Sequence, residues 1–574
     1  RPLFGAGIDN APVLVQHCGL LLAMFGALLA ERGLHLSSLG AGFTASSNPH
    51  VRSVAAVVGK ASAAVLCGML AQASWTFVAS EMEMPRDIAY GVTGWMFELA
   101  MPLGFALLGL KLASRIISGW AGRIVLALVL PAVGYAFAQY FDGSTLPLWP
   151  FALWLMLILF CGAPIFAVLG GLALALFWSE GQPLASVPLS HYQITVNPSL
   201  PALPLFTLAG LLFARTGAAA RLGSVFTAAF GSGVTGTAIA AAVLCSFFTA
   251  FTGGSGVTIL ALGGLLLPLL TKAGFPEQRG ISLVTSASAL GVLLAPSVPL
   301  IMYAIIARVP INTMFLAGVL PAVVMVACLL LVGGYLRRGS IAAVNRENQP
   351  KPENLGRALW RAKWELCAPV VAIGSLVSGI ATPTESAALT AIYAMLTQAV
   401  AHRELGWPQL RQALVDCAEV IGGIMLILGM ALGLTNYLID AGIPDAAIDW
   451  VQSVLPNKFA FLMVLNLFLL IAGALMEIYA AIVVLVPLLL PVALAYGVDP
   501  VHFGVIFLAN IEMGFLCPPA GMNIYFASAM FGKPIRYVAA AVVPAVLAML
   551  LGALMISALP VLATWLPKAL GFHG

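Results

Sequence analysis

TGGSGVTILALGGLLLPLLTKAGFPEQRGISLVTSASALGVLLAPSVP, residues 252–299, is apolar enough to lie in a bilayer. Yet it opens on Gly253, Gly254, Ser255 and Gly256 and closes on Gly291 and Pro296. Glycine and proline at those points interrupt a helix and free backbone groups. In hydrocarbon, freed carbonyls persist only where something satisfies them, such as a bound ion or a water-filled site. The pattern returns once. Pro268 and Pro491, Gly274 and Gly497, Gly291 and Gly514, and Pro296 and Pro519 each stand 223 residues apart (491 − 268). Interrupted apolar segments at matching places in two halves are the sequence mark of a transporter binding site. An odd number of crossings between the copies would set them in opposite orientations.

Composition fixes the class. Of 574 residues, 61% are hydrophobic and 8% charged, and the mean hydropathy is +1.03. A soluble domain cannot hide that much apolar surface, so the expected fold is an all-α polytopic membrane protein. The short alternating segments of a transmembrane barrel are absent. The net charge of +4 reflects loops rather than a nucleic-acid face. Eight cysteines stand singly, seven of them well inside apolar runs. With no C-x-x-C and no metal spacing, they read as small packing residues. Because it opens on Arg1, the chain is expected to begin part-way through a longer gene product.

Spans are expected over 11–30, 53–79, 90–113 and 123–141. Arginine and lysine counts make the 32–52 loop and the 115–123 turn cytoplasmic, and the 81–87 and 141–147 loops external. From about residue 148 the texture becomes long apolar runs broken by glycine and proline. Gly162 and Pro164 break the first, and 201–217 is expected to span. The basic loop 337–363 gives the strongest positive-inside signal and is expected to link two inverted halves. Further spans are expected over 418–438, 458–475 and 537–563.

No catalytic constellation emerges. HREL at 402–405 is not a zinc-binding motif, and FGKP at 531–534 lacks the upstream glycine and the hydroxyl of a phosphate loop. What remains is binding by broken helices. Helix ends leave orphan carbonyls at one terminus and orphan N–H groups at the other. Carbonyls with Ser or Thr hydroxyls form a hard oxygen cage suited to sodium, and half-helix N-termini suit a carboxylate. Thr252, Ser255, Thr258, Ser297 and Thr382 supply hydroxyls near the breaks, although such side chains also back-bond within helices. Glu477 and Glu512 flank the second broken stretch, and intramembrane acids are functional candidates by default. Glu98 is expected to pair with a basic residue of a neighbouring helix, for which Lys60 is a candidate. Glu385 in the TPTE run reads as a cap for a helix starting at Pro383.

At these residues the sequence resembles the membrane component of a tripartite ATP-independent periplasmic (TRAP) transporter, with small and large subunits fused. The large-subunit resemblance covers most of 148–566 and includes GGSGVTILALGGLLLP, ALGVLLAPSVPLIMYA, KWELCAPV, TPTESAALTAIYA, LGLTNYLID and GVDPVHFGVIFLANIEMGFLCPPAGMNIYFAS. Residues 1–120 resemble the small subunit, with LVQH and LGLKLA as weaker marks. That subunit usually has four helices, and this chain is expected to lack the first. The resemblance implies an elevator-type carrier in the bacterial inner membrane, with two hairpins, two broken helices and an N-terminal helical block. It also implies sodium-driven uptake of an organic acid delivered by a periplasmic binding protein. One sodium site is expected at Thr252, Gly254, Ser255, Gly291, Leu294 and Pro296. The second is expected at Glu477, Gly514, Cys517 and Pro519, with Thr382. Ser297, Tyr303 and Asn523 are expected to meet the substrate. Where the family often has Asp-Gly this chain has Glu477 and Ile478, and where it commonly has Thr-Pro-Pro this chain has Cys517, Pro518 and Pro519.

The expected organisation is a small-subunit-like block (1–120), a connection (121–147), a first repeat (148–345), a cytoplasmic linker (346–364) and a second repeat (365–574). The alternative in the same class is a stand-alone sodium/dicarboxylate carrier, against which the N-terminal block argues. An enzyme would need a paired nucleophile and base, and a channel would not need duplicated broken helices.

Overall fold

Helices begin where a capping side chain meets an apolar run. In a computed structural model that describes residues 10–32, 43, 48–117, 119–231, 233–336, 354–518 and 521–572, Asn48 caps Pro49–Glu83, Asn457 caps Lys458–Leu475 and Asp499 caps Pro500–Gly514. Each side-chain oxygen accepts from an otherwise orphaned N–H, and proline at the first helical position lacks an N–H to orphan. Among the described residues twelve helices are long and apolar enough to cross a membrane, or thirteen if one bent pair counts as a span. A small hairpin, Asp87–Ala89 with Val92–Thr93, is the only sheet among them.

The chain divides into two compact units. The first holds residues 1–201 and 415–446. There Pro49–Glu83 and Trp120–Phe141 cross with their backbones in contact. A methyl at Gly68 would run into the Pro131 carbonyl, and one at Gly134 into the Val65 carbonyl. Gly26 and Gly422 meet in the same way. Close approach through small residues is how helices pack in lipid, where apolar surface gains little from mutual burial. Buried Glu31 is held by Arg115 at 2.8 Å and Lys111 at 3.3 Å. Glu98 meets the Tyr192 hydroxyl rather than Lys60, and that hydroxyl lies 3.0 Å from His17 Nε2.

The second unit holds residues 202–414 and 447–574. Here the 223-residue spacing governs whole elements. Ser255–Lys272 and Ile478–Ala495 are both 18 residues long and start 223 apart. Val234–Thr252 answers to Lys458–Leu475, Glu277–Leu290 to Pro500–Gly514, and Val298–Ile306 to Met522–Phe531. Each copy is therefore a hairpin followed by a helix that stops and restarts. The expected span at 201–217 is different. Ala202–Ala214 turns by 74° into Ala218–Phe230, an amphipathic helix.

Arg221 on that helix reaches Glu365 at 2.7 Å and Glu404 at 2.6 Å, and donates to Gln398 at 2.9 Å. Glu365 is 2% exposed, so this cluster ties Ala218–Phe230 to Lys363–Val377 by a desolvated ion pair. Most of the basic loop read as cytoplasmic, residues 337–353, lies outside the described residues.

Candidate substrate and ion site

The first hairpin turns at Gly253, whose φ of +72° is open to glycine without strain. Gly254 is extended and caps the returning helix. Three hydroxyls gather around this tip. Thr249 donates to Thr258 at 2.7 Å, and Thr252 and Thr258 lie 3.1 Å apart. Both Thr252 and Thr258 reach the Gly254 carbonyl at 3.4 Å. Only oxygen donors are present at the tip, which suits a hard cation. Among the described residues no three His, Cys, Asp or Glu side chains gather around a common point.

The first broken helix packs directly on this hairpin. Glu277–Leu290 tightens into a 3-10 turn over Gly291–Leu293, extends at Leu294 and restarts at Val298. A methyl at Gly291 would strike the Ser246 carbonyl and Thr249, and one at Gly253 would strike Val298. So Thr252, Gly254 and Ser255 on one element and Gly291, Leu294 and Pro296 on the other belong to touching segments.

The second copy repeats the geometry with different chemistry. Glu477 is the N-cap of Ile478–Ala495, as Gly254 is of Ser255–Lys272. It is half-buried, not enclosed as an intramembrane acid in an apolar run is expected to be. A methyl at Gly514 would strike Gly473, the counterpart of the Gly291 contact. The Cys517 thiol lies 3.6 Å from the Met513 carbonyl. Pro519 lies outside the described residues.

Two of the bonds that join the copies lie at the first hairpin tip. The Tyr479 hydroxyl donates to the Gly253 carbonyl at 2.8 Å, and the Ser255 hydroxyl donates to Asn523 Oδ1 at 3.0 Å. The Ser255 hydroxyl also faces the Glu512 carboxylate. Ser297 and Asn523 are fully buried, and among the described residues Ser297 Oγ and Asn523 Nδ2 have no hydrogen-bond partner. Such buried polar atoms are costly unless something else satisfies them.

The structure does not bring two of the expected residues to the tips. Thr382 sits on an exposed turn, in a reciprocal capping box with Glu385. Glu385 is thus the helix cap expected from its sequence. Tyr303 is buried against Gly504 and donates to the Pro500 carbonyl at 2.5 Å. Sequence reasoning missed Thr249 and Tyr479. Thr249 lies one helical turn before the glycines. Tyr479 stands 223 residues after Gly256, so the repeat itself carried the signal.

Comparison with known proteins agrees with this architecture. The family model described as the DctM component of the tripartite ATP-independent periplasmic transporter matches residues 152–562. The model for the DctQ component matches residues 1–122. The isethionate TRAP transporter permease protein DctMQ of Oleidesulfovibrio alaskensis is 31% identical over 500 residues, covering 85% of this chain and 76% of that protein. The C4-dicarboxylate TRAP transporter large permease protein DctM of Rhodobacter capsulatus is 30% identical over 437 residues, 73% of this chain and 98% of that protein. The sialic acid TRAP transporter large permease protein SiaM of Vibrio cholerae is 28% identical over 382 residues, 65% of this chain and 87% of that protein.

Proposed function

The chain belongs to the tripartite ATP-independent periplasmic transporter family as a fusion of its DctQ and DctM components, and from that premise we propose sodium-coupled uptake by an elevator motion. It is a multi-pass bacterial inner-membrane transporter, not an enzyme, and its family works with a periplasmic substrate-binding protein to take up organic acids. Sodium and the carried acid are cargo. The observation behind the sodium reading is the first hairpin tip, where the Thr249, Thr252 and Thr258 hydroxyls and the Gly254 carbonyl converge beside the broken helix. Thr252, Gly254, Ser255, Gly291, Leu294 and Pro296 would hold one ion. Glu477, Gly514, Cys517 and Pro519 would serve a second. Thr382 is set aside because its hydroxyl is committed to Glu385.

The elevator reading is supported by the paired hairpins and broken helices, cross-linked by Tyr479 and Ser255 as one body. The cargo reading is an organic carboxylate. Asn523 Nδ2, a buried donor without a protein partner, and the N-terminus beside Ser297 favour an anion. The isethionate, C4-dicarboxylates and sialic acid for which relatives are named share an acidic group and differ in skeleton, which supports an anionic cargo. The test is uptake into proteoliposomes. Uptake is expected only with sodium outside and a cognate binding protein present. Equal uptake from potassium medium would overturn the sodium coupling, and equal uptake without the binding protein would favour a stand-alone carrier.

A further inference from the structure

Glu512 is the acid that the sodium sites above do not use. It lies on Pro500–Gly514 and is 3% exposed. Among the described residues no Lys, Arg or His forms an ion pair with it. A buried carboxylate without a counter-charge is strongly disfavoured, as is any buried ion left without its partner.

Counting hydrogens sharpens the point. Ser255 has one hydroxyl hydrogen and faces two acceptors, Asn523 Oδ1 at 3.0 Å and the Glu512 carboxylate. Among the described residues Glu512 Oε2 has no hydrogen-bond partner. Turning the Asn523 amide over would place Nδ2 on Ser255 and release the hydroxyl hydrogen to Glu512. Oε2 would still be unserved, and Oδ1 would join it. Oε2 is therefore left without a donor in either arrangement. A proton on Oε2 would exchange an orphan acceptor for an orphan donor. A cation satisfies Oε2 and the neighbouring oxygens together.

We propose that Glu512 is a cation ligand serving the first hairpin tip, so that the ion beside Ser255 is held by a carboxylate from the second repeat. This rests on the sodium-coupled reading above and deepens it. The first ion site becomes a joint product of both repeats. It is completed only while Ser255, Asn523 and Glu512 stay together. Loss of the ion leaves a bare buried charge at the seam between hairpin and broken helix, which ties ion occupancy to the closure of that seam.

The experiment is a sodium titration of the detergent-solubilised full chain, read as the rise in melting temperature over a potassium control. It is paired with sodium-dependent uptake in proteoliposomes. For Glu512→Gln, which keeps shape and removes charge, the half-saturating sodium concentration is expected to rise at least tenfold in both readouts. Glu512→Asp is expected to fall between it and the parent. A Glu512→Gln curve that overlays the parent's would overturn the proposal. If Glu512→Gln does not yield folded protein, Glu512→Asp decides, and an unshifted sodium curve for it would overturn the proposal too. A parent chain that ignores sodium would instead overturn the underlying sodium reading, which separates the two failures.

Discussion

Replacing Tyr479 by phenylalanine removes one oxygen and nothing else. The ring is buried, so its volume stays filled and no cavity opens. What is lost is the 2.8 Å bond to the Gly253 carbonyl, which joins the two repeats at the first hairpin turn. That carbonyl would be left facing protein at a residue held at a φ of +72°. Leaving a buried acceptor unsatisfied costs about 1–3 kcal/mol. If that cost falls on tip closure, the opened population rises by roughly 5- to 150-fold, at about 1.4 kcal/mol per tenfold. Hydrogen exchange reads this directly. Amides in 250–258 should exchange faster by that factor, while those in 60–75 of the other unit stay unchanged. Equal exchange at the tip in both proteins would refute the view that Tyr479 holds the turn closed.

Four further outcomes are expected. Gly291→Ala and Gly514→Ala place methyls against the Ser246 carbonyl and Gly473, so each should cost about 1–3 kcal/mol; an unchanged melting temperature in detergent would contradict the packing. Arg221→Met takes the guanidinium from Glu365, which is 2% exposed and among the described residues keeps only His402 at 3.2 Å and the Gln398 amide at 3.1 Å; it should destabilise by at most about 3–5 kcal/mol, most of which the double change with Glu365→Leu should restore, and thermal unfolding measures both. Burial pushes the Glu404 carboxyl up, but the Arg221 guanidinium and the Gly217 N–H more than offset this and hold it below its usual 4.5. Its stabilising contribution is therefore present above pH 4.5 and lost as pH falls through the lower folded value; melting curves between pH 6 and pH 3 should show that acid loss shrink in Glu404→Gln. Finally, a cysteine at Asn348 should resist an impermeant reagent in intact cells, because its loop carries the chain's strongest basic excess.

The repeat was legible because its marks are backbone requirements. A glycine at a close approach and a proline at a restart can be counted along the chain, and the 223-residue offset they define holds for the helix caps Gly254 and Glu477 that the structure shows. The long spans followed from hydropathy. Legibility failed where tertiary context decides. Ser255 and Asn523 are 268 residues apart, and no local pattern announces their bond. Thr382 looked like an ion ligand because its motif is a hydroxyl beside a proline, but the same atoms make a good capping box. Tyr303 is a tyrosine near a break, yet its hydroxyl is taken by a backbone carbonyl. The span expected at 201–217 stops at the turn after Ala214; the amphipathic helix beyond it, Ala218–Phe230, carries no long apolar run to mark it. The degree of burial that separates Glu512 from Glu477 depends on what packs around each, which a single sequence does not display.

The central claim is coupling, and its most direct measurement is the zero-flux condition. Proteoliposomes holding the full chain, with its cognate binding protein outside, are loaded with labelled substrate at fixed internal concentration. The external substrate concentration at which net flux vanishes is then found at several sodium gradients. Sodium coupling predicts that this balance point moves with the sodium gradient, by the same power of it at every setting. A balance point fixed by the substrate ratio alone, or moved only by a pH gradient, would contradict it.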